Sequence, residues 1–287
     1  MELSSINPFA RKQEIEAPQS NKTKEMIEIS VGASDRIVDG IRNLLSIPAK
    51  LFLWNSKFGS GNISQETLDK MRNYLHENGL HDVRVSVNEY DPGSTWIRIM
   101  SNPKTSRLSK CTIGLADGII TTLAVSKLTG FPGDRFSPSA NTIYLFSDDA
   151  SIALHEAGHA KDFHTRENPV LYGLASRLPL VTLYQEAVAT QNAIQYLRNK
   201  GDIPGVKKAF TLLTPALATY ALYELWTLSE LDLSSFLLCL FTLFGLGHLL
   251  GRYLAAQEKE EPSISVVSSS ADKLLSAPHE AMKAVEG

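Results

Sequence analysis

The stretch SIALHEAGHAKDF, Ser151–Phe163, decides how this chain is read. His155 and His159 stand four residues apart, and Glu156 directly follows the first histidine. On an α-helix, positions i and i+4 share one face, so both imidazoles can present a ring nitrogen to one metal ion. Zinc accepts neutral imidazole well, and two histidines leave two tetrahedral positions open. Glu156 can reach a metal-activated water without ligating the metal, take its proton and later deliver it to a leaving amine. Ala157 and Gly158 are small and let another element approach the helix closely.

The flanks support a helix. NTIYLF, residues 141–146, reads as a short strand running into SDD, where Ser147 or Asp148 can cap the helix that follows. The helix should end near HTRENP, because Pro169 biases Asn168 away from helical backbone. For a third ligand, a metzincin pattern would need Gly at 162 and His at 165, but the chain has Asp162 and Thr165. His164 lies nine residues beyond His155 and points the opposite way on a continued helix. Glu186 is favoured. It lies in LYQEAVATQNAIQYLRN, which Leu183, Ala187, Ile194 and Leu197 mark as helical. A glutamate on a second helix facing the first completes a two-histidine, one-glutamate zinc site. Asp162, on roughly the histidine face, is next, as ligand or as support for one.

Outward from this motif, 287 residues with 43% apolar content allow one substantial domain plus extras. A net charge of −3 without a long basic run argues against a nucleic-acid partner. Cys111 and Cys239 build neither a disulfide framework nor a cysteine zinc ribbon. Residues 1–32 are polar, lack a secretory signal and read as a disordered tail. Residues 33–200 are expected to form the catalytic domain, of α+β class. Its first helix, about 33–54, carries Ile37, Val38, Ile41, Leu44 and Leu45 until Pro48 interrupts. That apolar stripe suits ordinary packing, with a membrane surface as the alternative. A second helix, 64–78, shows Leu68, Met71 and Leu75 on one face and Gly79 as its cap. HDVRVSVNEYDPGSTWIRIM, 81–100, alternates in period two around DPG and reads as a β-hairpin. The stretch KCTIGLADGIITTLAVSKLTG, from Lys110, reads as a helix on the sheet, and FPGDRFSPSA, 131–140, as a loop.

The C-terminal part changes character. Val206–Leu228 and Leu233–Leu250 are apolar runs joined by SELD. The second has 18 residues without Asp, Glu, Lys or Arg, long enough for a membrane span; Pro215 and Glu224 weaken the first. Residues 205–252 are therefore expected to form a hydrophobic helical hairpin, transmembrane in character. Arg198, Lys200, Lys207 and Lys208 precede it and Arg252 follows, which by the positive-inside rule puts that side in the cytoplasm. SDDAS and KDFHTREN around the motif are too polar for lipid and place it beside the membrane. Residues 253–287 read as a flexible polar tail.

With HEAGH as its H-E-x-x-H and EAVAT on a following helix, the chain resembles the gluzincin metallopeptidases, most closely those integral to membranes. The resemblance covers about residues 141–197. It implies a zincin-like domain holding one Zn2+ per chain on His155, His159 and Glu186, with Glu156 as general base hydrolysing peptide or protein substrates. It also implies that NTIYLF is the edge strand above the zinc, and that Tyr172, Tyr184 or a downstream His or Arg stabilises the oxyanion. The family often has an acidic residue four after the ligand glutamate to orient a histidine. Here that residue is Thr190, so Asn192 or Asp162 is expected to substitute. The alternative to an endopeptidase is a catalytically inactive zincin-like membrane protein acting in binding or structure.

Overall fold

A computed structural model describes residues 27–32, 36–89, 92–103, 105–116, 118–119, 133–178, 180–229 and 232–259. The chain is mixed α/β. Four short strands form one sheet: β1 (Ile29–Val31), β2 (Arg84–Val87), β3 (Arg135–Ser137) and β4 (Thr142–Leu145), in the order β1-β2-β4-β3. β1, β2 and β4 are parallel and β3 is antiparallel to β4, with Val85 opposite Ile143 and Phe136 opposite Ile143. β1 falls inside the stretch expected to be tail, while residues 1–26 lie outside the described residues.

Strand alternation sorts the two faces. Val85, Val87, Ile143 and Leu145 pack on α3 (Gln65–Glu77) and α6 (Ala150–His164), against Met71, Leu75, Ala153 and Ala157. Ser86 and Tyr144 face the other way, where the Tyr144 hydroxyl meets Thr95 Oγ1 at 2.9 Å. Thr95 belongs to α4 (Pro92–Ser101), so the expected β-hairpin is a strand followed by a helix. Thr95 and Ile99, four apart, are both fully buried while Ile97 is exposed. That is a helical period; a strand would carry all three on one face. Pro92 starts α4, where its missing N–H costs nothing.

The remaining N-terminal helices are α1 (Arg36–Leu45) and α2 (Ile47–Leu53), which part at Ser46 as the proline implied. From Ile41 onward the packing expected of α1 is reversed: Ile41, Leu44 and Leu45 are exposed and Arg42 is buried, while the side chains of Ile37 and Val38 lie outside those described. α5 (Arg107–Ser109) passes into a π-helical turn, Lys110–Gly114; the rest of the helix expected there, 120–130, lies outside the described residues. FPGDRFSPSA is not all loop, since it contains β3. NTIYLF, expected at the edge, is an inner strand because β3 covers it. A three-residue strand flanked by Pro and Gly is too short to show a period.

After α6 come α7 (Pro169–Leu174) with a 3-10 turn Ala175–Arg177, then α8 (Val181–Asn199), α9 (Ile203–Leu228) and α10 (Leu233–Gln257). α9 and α10 form the expected hairpin, with Pro215 inside α9. Gly247 and Gly251 make the close approach possible: a Cβ on them would stand 2.8 Å from Pro215 Cα and 2.5 Å from the Phe210 carbonyl oxygen. α10 is long and apolar enough to cross a membrane, and among the described residues α9 is not. The first half of α9 is core instead, burying Val206, Ala209, Phe210 and Leu213 against α3, α6 and α8.

Candidate metal centre

α6 and α8 bring the three expected ligands together. α6 is capped by Asp149, not by Ser147 or Asp148. Its carboxylate accepts from the Ser151 N–H at 2.9 Å and pairs with Lys208 at 2.8 Å. Asp148 instead braces the start of α3, which Ser64 caps, accepting from the Ser64 N–H at 2.9 Å and the Thr67 hydroxyl at 2.9 Å. Gly158 then sets the approach of the second helix. A Cβ there would lie 2.6 Å from the Ala189 carbonyl oxygen, so α8 touches α6 backbone to backbone directly beside His159.

That contact puts Glu186 against both imidazoles. His155 Nε2 is 3.1 Å from Glu186 Oε2, and His159 Nε2 is 3.5 Å from Glu186 Oε1. One ligand atom from each of the three lies within 4.8 Å of the others. Tetrahedral ligands at bond lengths of about 2.0–2.1 Å stand about 3.3 Å apart, so the donor set fits one small cation. Burial pushes the Glu186 carboxyl up, but hydrogen bonds and charge from His155 and His159 outweigh it and bring it down to about 2. It is therefore an anion at neutral pH, the form in which a carboxylate could hold a metal ion.

His155 is oriented by Thr190, whose Oγ1 lies 3.3 Å from Nδ1. The hydroxyl stands where an acidic residue was expected, so neither substitute takes that role. Asn192 bonds the Gly158 carbonyl at 3.4 Å. Asp162 is turned away, accepting from the Tyr172 hydroxyl at 2.8 Å and from Arg166. His164 lies 3.9 Å from Asp82 and outside the centre.

Glu156 is buried beside the ligands and accepts from the Phe136 N–H of β3. Burial pushes its carboxyl up to about 8; His155 opposes this, and the Glu186 and Asp134 carboxylates add to it. Two cavities meet at this point. One, of about 410 Å³, is walled by Phe52, Leu217 and Phe244, and the other, of about 590 Å³, by Phe136, Leu174 and Gln185. Glu156, Glu186, Asp134 and Tyr220 line both.

Tyr220 and Asp134 are site residues that sequence reasoning missed. Tyr220 hydrogen-bonds Glu186 from α9. Tyr172 is held by Asp162, and Tyr184 is 54% exposed, so neither tyrosine expected at the site lines these cavities. Nothing in VKKAFTLLTPALATYALYELWTL distinguished Tyr220 from its neighbours; it becomes visible once α9 is known to pack on α8. No protein-family model, curated protein or solved structure matches this chain.

Proposed function

We propose that this chain is a membrane-associated zinc endopeptidase of gluzincin type. The observation that carries the reading is the convergence of His155, His159 and Glu186 within 4.8 Å, with buried Glu156 facing the same cavities. Two imidazoles and a carboxylate, with a fourth position open to the cavities, are the donor set of a catalytic zinc. A bound zinc would supply a polarised carbonyl and a water of lowered pKa.

The chain's own residues do the rest. Glu156 holds and moves the proton: as a carboxylate it takes one from the attacking water, and as an acid it returns it to the leaving amine. β3, a sheet edge, offers main-chain groups to an extended peptide, and the Phe136 N–H on Glu156 marks that edge as facing the site. Tyr220 donates its one hydroxyl proton to Glu186 and lines both cavities, so it serves an oxyanion only by turning from Glu186. Lys207, Lys208 and Arg252 support a cytoplasmic position for the adjoining end of the hairpin.

The test is a peptide-hydrolysis assay on detergent-purified protein carrying one zinc per chain. Glu156→Gln should abolish cleavage while zinc stays bound. Cleavage surviving in that variant, or zinc-loaded protein inert towards unfolded protein substrates, sinks the reading.

A further inference from the structure

α1 is inside out. Arg42 is 1% exposed, its Nε donating to the Gly59 carbonyl at 3.0 Å and its guanidinium pairing with Asp39 at 2.8 Å. Leu44 on the same helix is 65% exposed. In water this arrangement forfeits apolar burial; against acyl chains it does not. Large apolar side chains are exposed as well on α2 and its cap, at Leu51 and Trp54, on α7 and the turn after it, at Leu171 and Leu178, and on α10, at Leu238 and Phe241. These are the elements that wall the site's cavities, through Phe52 of α2, Phe244 of α10 and Gly173 of α7. On the far side of α6, α3 behaves as a helix in water, burying Leu68, Met71 and Leu75 and exposing Glu66 and Asp69.

Helix pairing gives the depth. Along the hairpin, Pro215 meets Gly247, and the Trp226 ring meets Phe236 at 4.9 Å. Tyr220 lies almost midway between Pro215 and Trp226, and so stands level with Phe241 and Thr242. Those residues are at the middle of Leu233–Leu250, a run of about 26 Å, close to the roughly 30 Å of a bilayer's hydrocarbon core. Because Tyr220 bonds Glu186, the metal ligands share that level. Residues 209–223 and 233–251 contain no Asp, Glu, Lys or Arg, and Lys207, Lys208 and Arg252 close one end. Three of the acidic residues flanking HEAGH are turned inward, Asp149 onto Lys208, Asp148 onto Ser64 and Thr67, and Asp162 onto Tyr172, while Glu167, beyond the C-terminal end of α6, is exposed.

We propose that the apolar rim of the cavities is a lipid-facing surface, so that the His155–His159–Glu186 centre lies at the depth of the acyl chains. On the peptidase reading above, its substrate is then a segment of a protein held in that layer, whose apolar side chains enter the cavity between α2, α9 and α10.

Depth is measured without reference to catalysis or metal. The full chain, with Cys111 and Cys239 replaced by serine, carries a nitroxide at Tyr184→Cys, Leu238→Cys or Lys200→Cys in phosphatidylcholine–phosphatidylglycerol vesicles. Labels at 184 and 238 should collide with oxygen several-fold more, relative to a water-soluble nickel chelate, than the label at 200. A label at 184 that ranks with the one at 200 overturns the proposal. Should the cysteine variants not fold, the unmodified chain decides in vesicles with brominated acyl chains. Trp54 and Trp226 are exposed on α2's cap and on α9, so tryptophan emission should fall, and unchanged emission refutes it. An inert protein at this depth would sink the peptidase reading alone; an active one with label 184 in water would sink the depth alone.

Discussion

Gly158→Ala tests whether backbone contact between α6 and α8 builds the metal centre. The added Cβ would stand 2.6 Å from the Ala189 carbonyl oxygen and 3.1 Å from its Cα, both backbone atoms that no rotamer change can clear. Carbon–oxygen contacts settle near 3.3 Å, so α8 must retreat by about 0.7 Å. Ligand distances tolerate only about 0.2 Å, and Glu186 sits three residues before Ala189 on the retreating helix. Zinc affinity should therefore fall about 10- to 100-fold, the loss typical of a disturbed ligand support. Stability should fall by about 1–2 kcal/mol, an overpacking cost partly offset by the better helix propensity of alanine. Gly40→Ala is the control, since a Cβ there meets nothing within 4 Å and should add about 0.5–1 kcal/mol. Competition of zinc against a chromophoric chelator and urea unfolding in detergent read both effects. A Gly158→Ala protein that binds zinc as the parent does and unfolds no earlier would refute the argument.

Thr190→Val removes the hydroxyl at His155 Nδ1 at nearly constant shape and should weaken zinc binding about 10-fold, while Thr190→Asp should strengthen it; the same competition assay decides. Tyr220→Phe should leave zinc bound and lower kcat about 100- to 1000-fold with KM little changed, if the hydroxyl acts on the oxyanion; a change in zinc affinity alone would make it a positioning residue. Asp148→Asn should cost about 1–3 kcal/mol in urea unfolding. Burial pushes the Asp148 carboxyl up, but hydrogen bonds from Ser64, Lys57 and Thr67 prevail and hold it well below the usual range. A carboxyl depressed in the folded state stabilises above its unfolded pKa of about 4, and that contribution is lost as pH falls below it. The parent should lose stability from about pH 4 downward more steeply than the asparagine variant. Thousandfold excess of zinc over its Kd should raise the unfolding free energy by about 4 kcal/mol, reversed by chelation.

Much of the centre was legible in the sequence because its signals are local. The i, i+4 spacing of His155 and His159 is a property of helix geometry, and the period of the Glu186 helix singled out a glutamate that does face them. The uncharged run from Leu233 likewise announced α10. What eluded sequence reading depends on contacts between distant segments. Thr95 and Ile99 alternate as well as any strand, and only the Tyr144 face of the sheet makes them one side of a helix. Thr190 became the partner of His155 because α8 lies close enough, through Gly158, for a hydroxyl to reach where a longer acid was expected. Tyr220 entered the site, and α1 turned its leucines outward, through packing across the fold. Periodicity reports that a residue has an apolar face, but which neighbour, or which solvent, meets that face is set when the helices come together.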